Sequence, residues 1–156
     1  MSYRTFILIA ALLVSGYSAN AQAQAASYGK YTDAYCLDSA AAYHQVNPLI
    51  LRAIAWQESR GNPNAFRGNT NGSYDIGMMQ INTIHARELG RYGIQMGHLY
   101  NPCIAAYVAA WHYRRQIDRY GNTWAAVGAY HSHTPHLRDK YAGQVKRILE
   151  KWTLQR

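Results

Sequence analysis

The chain reads as a mainly α-helical domain with a small irregular β region around residues 61–82, on three observations. Asn-Pro occurs twice, at Asn47-Pro48 and Asn101-Pro102, each time just ahead of a run with helical apolar spacing. An asparagine cap followed by proline in the first turn is a helix start. Toward the C-terminus, Leu137, Tyr141, Val145, Ile148, Leu149 and Trp152 fall on one helical stripe. Between the two Asn-Pro signals, GNPNAFRGNTNGSYDIGMMQIN (residues 61–82) is dense in Asn and Gly, so it must be mostly turn, with a short hairpin near Asn71-Gly72.

In chain order, the first element is a leader. Ser2-Tyr3-Arg4 is positive, Phe6 to Val14 (FILIAALLV) is apolar, and Ala19-Asn20-Ala21, Ala21-Gln22-Ala23 and Ala23-Gln24-Ala25 are small-residue cleavage sites. This is the pattern of a secretory signal peptide over residues 1–23. A membrane anchor fits less well, because the apolar run is about half of the ~20 residues a span needs. The remainder, residues 24–156, is one domain's worth of chain, exported and without stable membrane insertion.

Cys36 to Val46 reads as a first helix, with Leu37, Ala40, Ala41 and Tyr43 available for packing. Pro48 to about Arg60 is a second, burying Leu49, Ile50, Ala53, Ile54 and Trp56, with Gly61 as its C-terminal cap and Asn62-Pro63 barring continuation. After the Asn/Gly-rich stretch come a short helix from Thr83 to Leu89 and a long one from Pro102 to about Tyr120, stopped by Gly121. The long helix carries Cys103, Tyr107, Ala110, Arg114 and Ile117 on one face. Trp124 to Tyr130 and Leu137 to about Trp152 complete the set, with Pro135 between them read as irregular loop.

Two cysteines, Cys36 and Cys103, follow the leader. In an oxidising compartment an even count suggests a disulfide, the other reading being two buried thiols. The formal charge is +8 at pH 7. A basic exported protein suits an anionic polymer or surface, such as cell-wall material with its peptide carboxylates or acidic lipid headgroups, and outside the cell nucleic acid is a poor fit. The charges are scattered, so a merely soluble basic surface is the plainer reading.

Three segments carry more. Glu58–Phe66 (ESRGNPNAF), Tyr74–Ile81 (YDIGMMQI) and Val127–His133 (VGAYHSH) occur in this order, and together they resemble the soluble lytic transglycosylase-like domain of the lysozyme superfamily. The short exported chain, the paired cysteines and Arg91–Gly93 look most like the specialised members that accompany type III secretion, conjugation and type IV pilus machines. The resemblance implies a lysozyme-like fold over residues 24–156 and a periplasmic location. It also implies cleavage, without added water and without a cofactor, of the β-1,4 bond between N-acetylmuramic acid and N-acetylglucosamine in peptidoglycan. Its partners would be glycan strands and components of an envelope-spanning apparatus.

On that resemblance Glu58 is the acid that protonates the glycosidic oxygen and then, as carboxylate, takes the proton of the muramyl C6 hydroxyl, closing a 1,6-anhydro ring. The substrate's N-acetyl group would stabilise the oxocarbenium-like centre, departing from the two-carboxylate scheme. Such an acid needs a pKa above the ~4.3 of free glutamate. Apolar burial beside Ile54, Ala55 and Met78-Met79, with the negative end of the helix dipole, would raise it. The lysozyme precedent is a glutamate lifted to ≈ 6.

The remaining site residues each have two readings. Ser59 orients the N-acetyl group or the carboxylate, or makes a plain helix-end hydrogen bond. Gly77 lets backbone approach the sugar, or is a turn glycine. Met78 and Met79 wall the site or fill core, one of each being expected. Gln80 is a substrate-side amide or a core hydrogen-bonder, and Tyr130 holds the Glu58 carboxylate or is core. Asp75 is a second carboxylate facing the cleft, positioning a water as in a hydrolytic lysozyme, or it is a turn-capping residue. His131 stands where the family has a substrate-binding asparagine. With His133 and His136 it invites a metal reading, but no HExxH helix is present and a polar cleft rim is the expectation. A hydrolase using Asp75 and a murein-binding assembly component without turnover are the alternatives to the transglycosylase.

Overall fold

The structure, a computed structural model, describes residues 36–154. The leader expected over residues 1–23, with its cleavage site, lies outside the described residues. Six helices and one small sheet follow in order: α1 (Leu37–Tyr43), α2 (Pro48–Ser59), β1 (Phe66–Gly68), β2 (Tyr74–Ile76), β3 (Ile81–Asn82), α3 (Ala86–Gly90), α4 (Pro102–Tyr120), α5 (Trp124–Ala129) and α6 (Pro135–Leu154). Short 3₁₀ turns cover Thr83–His85 and Met96–Tyr100. The architecture is mainly α with a three-stranded antiparallel sheet in the order β1-β2-β3, consistent with the lysozyme-like expectation.

Both Asn-Pro signals work as their chemistry requires. The Asn47 side chain accepts from the Leu49 and Ile50 amides at 2.9 and 3.4 Å. Asn101 accepts from Cys103 and Ile104 at 2.9 and 3.2 Å, so donors left over at each helix start are satisfied. At the other end of α2 the left-handed turn is taken by Arg60 (φ 59°) together with Gly61 (φ 79°), one residue earlier than a glycine cap alone. Pro135 proves to be the first residue of α6, where its missing N–H costs nothing, and not part of a loop.

The buried stripe of α2 is Leu51, Ala53, Ile54 and Ala55, whereas Leu49 (42% exposed) and Trp56 (41%) face outward. The Arg60 guanidinium lies over the Trp56 ring, 5.2 Å from its centroid, which gives that indole an amphipathic surface role. Leu51, Ile54, Met78, Met79, Leu99, Tyr113, Val127 and Val145 form the fully buried centre. Because α5, α2 and α4 all contribute to it beside α6, the last helix closes the domain against elements far earlier in the chain. A Cβ on Gly128 in α5 would sit 2.1 Å from the Arg138 carbonyl oxygen in α6; only a glycine lets these two backbones approach so closely.

Cys36 and Cys103 form a disulfide that ties the start of α1 to the first turn of α4 across a sequence separation of 67. Closing a loop of that length stabilises the folded state by about 4 kcal/mol on the chain-entropy account.

Candidate active site

Glu58 occupies the last turn of α2 at the position that continues the stripe Leu51, Ile54, Ala55 by helical spacing. The same periodicity that buries those apolar residues therefore aims the carboxyl inward. It emerges at a cleft of about 590 Å³. One wall is the sheet region with Arg67, Asp75 and Gln80, and the other is α4 and the turn after α5, with Trp111, His112 and His131. Glu58 is half-buried, and its pKa is raised from 4.5 to about 7. Burial is the main cause; the Tyr141 hydroxyl and the Arg67 guanidinium pull it down, and the Asp75 charge pushes it further up. The rise exceeds the value near 6 expected from the lysozyme precedent.

The hydroxyl that holds Glu58 belongs to Tyr141 on α6, donating to Oε1 at 2.5 Å. Tyr130, expected to fill this role, instead donates to the Met79 carbonyl at 3.0 Å from a fully packed position. The Tyr130 ring lies 6.4 Å from Tyr141 at 19°, so it supports the partner of Glu58 without itself touching the carboxylate. Spacing marked Tyr141 only as one member of the apolar stripe of the last helix. Eighty-three positions separate it from Glu58, and no local pattern shows such a pairing.

Asp75 faces the same cleft and is thoroughly occupied. In the sheet register it lies opposite Arg67 on β1 and Asn82 on β3. Its Oδ2 accepts from Arg67 Nε and Nη2 at 3.1 and 2.8 Å and from Asn69 at 3.1 Å, while Oδ1 accepts from Asn82 at 2.6 Å. Only 6% of it is exposed. A buried carboxylate with this many donors is the hub that holds a three-stranded ribbon too short to be stable alone. Arg67, Asn69 and Asn82 escaped the sequence reading, although once the hairpin at Asn71-Gly72 is granted, its register puts Arg67 directly across from Asp75, while Asn82 is placed only by the pairing of β2 with β3.

The other expected residues sort themselves. Ser59 donates to the Met78 carbonyl at 2.7 Å; it clips the end of α2 to the segment after β2 and leaves the Glu58 carboxylate alone. Met78 and Met79 are both core, at 1% and 0% exposure, so neither walls the cleft; each burial contributes about 2 kcal/mol. Gly77 has φ 75°, and a Cβ there would lie 2.1 Å from the Leu99 carbonyl oxygen. Its need is close backbone packing against the 3₁₀ turn, not approach to a sugar. Gln80 lines the cleft and donates to the Gly77 carbonyl at 3.0 Å.

The three histidines part company. His131 lies flat on Tyr141, ring centroids 5.0 Å apart and planes 5° from parallel. His133 Nδ1 meets the Tyr120 hydroxyl at 3.0 Å, and His136 is exposed in the first turn of α6. Among the described residues no group of three His, Cys, Asp or Glu side chains is placed to hold a metal ion. His112, absent from the sequence reading, reaches the Tyr130 carbonyl through Nε2 at 3.2 Å. A carbonyl only accepts, so Nε2 carries the proton. Burial lowers the His112 pKa to about 4, leaving a neutral ring in the cleft wall.

Comparison with known proteins agrees with this geometry. Residues 35–152 match the family described as the transglycosylase SLT domain. The chain is 38% identical over 120 residues to the X polypeptide of Escherichia coli, covering 72% of this chain and 71% of that protein. It is 40% identical over 101 residues to the invasion protein IagB of Salmonella typhimurium, covering 62% and 63%. To the protein IpgF of Shigella flexneri it is 37% identical over 106 residues, covering 67% and 70%.

Proposed function

The chain belongs to the transglycosylase SLT domain family, and from that premise we propose that it is a peptidoglycan lytic transglycosylase with Glu58 as its single acid and base. The bond cut is the β-1,4 link from N-acetylmuramic acid to N-acetylglucosamine, and the product end is 1,6-anhydro. The observation that carries this is the Glu58 carboxyl at the cleft, held by burial at a pKa of about 7. At neutral pH about half of the molecules hold the proton, matching supply of the acid to its task.

Protonated Glu58 gives its proton to the departing glycosidic oxygen as the C1–O bond breaks. The resulting carboxylate, steadied by the Tyr141 hydroxyl, then removes the C6 hydroxyl proton as that oxygen bonds to C1. The proton count closes: one given, one regained, and no water consumed. Asp75 supports the route from its neighbourhood. Its charge helps keep Glu58 protonated, and its four hydrogen bonds commit it to the ribbon in preference to activating a water.

The reading extends to location and partners. The enzyme works on periplasmic glycan strands and opens the wall locally for an envelope-spanning secretion, conjugation or pilus machine, a role that similarity to a protein named for invasion supports. No described helix is long and apolar enough to cross a membrane.

Digestion of purified peptidoglycan by the wild type and Glu58→Gln, followed by muropeptide masses, tests the proposal. Anhydro ends, one water lighter than reducing ends, are expected from the wild type and from Asp75→Asn, and no release from Glu58→Gln. Reducing ends would establish a hydrolase, and saturable binding without release would establish a murein-binding component.

A further inference from the structure

Three elements meet at the Tyr141 ring. Its hydroxyl, carried by α6, reaches Glu58 on α2, and its face is covered by His131 from the turn after α5 at 5.0 Å and 5°. Tyr141 itself is buried, whereas His131 is exposed along the cleft. A short hydroxyl-to-carboxylate bond depends on position to a few tenths of an ångström. A phenol's reach is lost when the ring swings along its own normal, and a second ring packed flat against it blocks that movement.

We propose that His131 is a positioning residue: its imidazole, stacked on Tyr141, keeps the phenol hydroxyl seated on Glu58. The inference rests on Glu58 being the acid of the reaction proposed above. Tyr130 braces the same ring, 6.4 Å away, but is itself anchored to the Met79 carbonyl, so the cleft side of Tyr141 is left to His131. The groups facing the carboxyl are Tyr141, Tyr130, Arg67 and Asp75, and those facing His131 are Tyr141, Arg67 and Asp75. The surrounding protein and the Arg67 cation both lower the His131 pKa, which favours a neutral ring against Tyr141 at neutral pH.

The test is a carbon-13 NMR titration of the Glu58 carboxyl in the free protein, its signal identified by loss in Glu58→Gln. Tyr141→Phe removes the hydroxyl alone, and because that hydroxyl favours the anion, the midpoint should rise above about 7. His131→Ala should move the midpoint the same way, His131→Phe should restore it, and His131→Ala should add nothing in the Tyr141→Phe background. Muropeptide release by His131→Ala should fall by roughly an order of magnitude and recover in His131→Phe. A midpoint that stays put, that falls because the carboxyl has merely become wetter, or that still shifts without the hydroxyl overturns the proposal. The titration needs no substrate, so a wrong positioning role and a wrong reaction give separate failures.

Discussion

Replacing Glu58 by glutamine should abolish murein cleavage and at the same time make the folded protein more stable above neutral pH. The carboxyl has a value of 4.5 in the open and about 7 in place. The folded chain therefore keeps a proton that the unfolded chain has released throughout that window. Stability is intact below the lower value and declines as pH rises through the upper one, because the fold must then bury an anion. Converted in full, the difference is about 3 kcal/mol, at 1.36 kcal/mol per tenfold change. Glu58 opens on the cleft and water relieves part of the cost, so ~1.5 kcal/mol is the working figure. Glutamine is neutral, keeps an oxygen for the Tyr141 hydroxyl, and escapes the penalty. For a domain of this size the gain is roughly 5 °C in Tm. Thermal unfolding followed by circular dichroism at pH 4 and pH 8 measures it: the variant and the wild type should lie close at the lower pH and separate at the higher. An advantage that does not grow with pH, or none at pH 8, would refute the claim that the carboxyl is held against its own ionisation.

Three further outcomes follow from close contacts and the crosslink. Gly77→Ala combines a left-handed backbone with a Cβ 2.1 Å from the Leu99 carbonyl oxygen, so it should cost about 3 kcal/mol or more in urea unfolding; a loss under half a kilocalorie per mole would show that the 3₁₀ turn yields freely. Gly128→Ala meets the Arg138 carbonyl oxygen at 2.1 Å. It should prise α6 from α5, carry Tyr141 away from Glu58, and reduce muropeptide release even at temperatures where circular dichroism reports a folded chain. Reducing the Cys36–Cys103 bridge, 67 positions apart, should lower unfolding stability by about 4 kcal/mol, read as a drop in the urea midpoint with and without reductant; an unchanged midpoint would mean the reduced chain is already confined when unfolded.

Much of the fold was legible because its signals are local. Asn47 and Asn101 cap their own helices within three residues, and the hairpin at Asn71-Gly72 pairs strands a few positions apart. Faces were harder than elements. Leu49 and Trp56 looked core by hydrophobicity, yet the true stripe of α2 runs through Leu51, Ile54 and Ala55. Periodicity names a face only to within about one position per turn, and neighbours decide the rest. Within the site, Glu58 was found from its own segment, while its hydroxyl partner was placed on Tyr130 instead of Tyr141. Met78, Met79, Gly77 and Ser59 each had a substrate reading and a packing reading, one methionine being expected at the cleft, and the packing of α2, the segment after β2 and the 3₁₀ turn claims them all.

What the amino-acid order determined unaided was the inventory: which helices form and roughly where, which stretch must turn, which two sulfurs were available, and which glutamate sits at the end of the second helix. Those are matters of a few bonded neighbours, and a few neighbours suffice to set them. Tertiary structure alone decided the proton's keeper. The rise of Glu58 to about 7 is a balance of burial against Tyr141, Arg67 and Asp75, groups from the last helix and two strands. Electrostatic work depends on distance through folded space, and that distance exists only after those elements have packed.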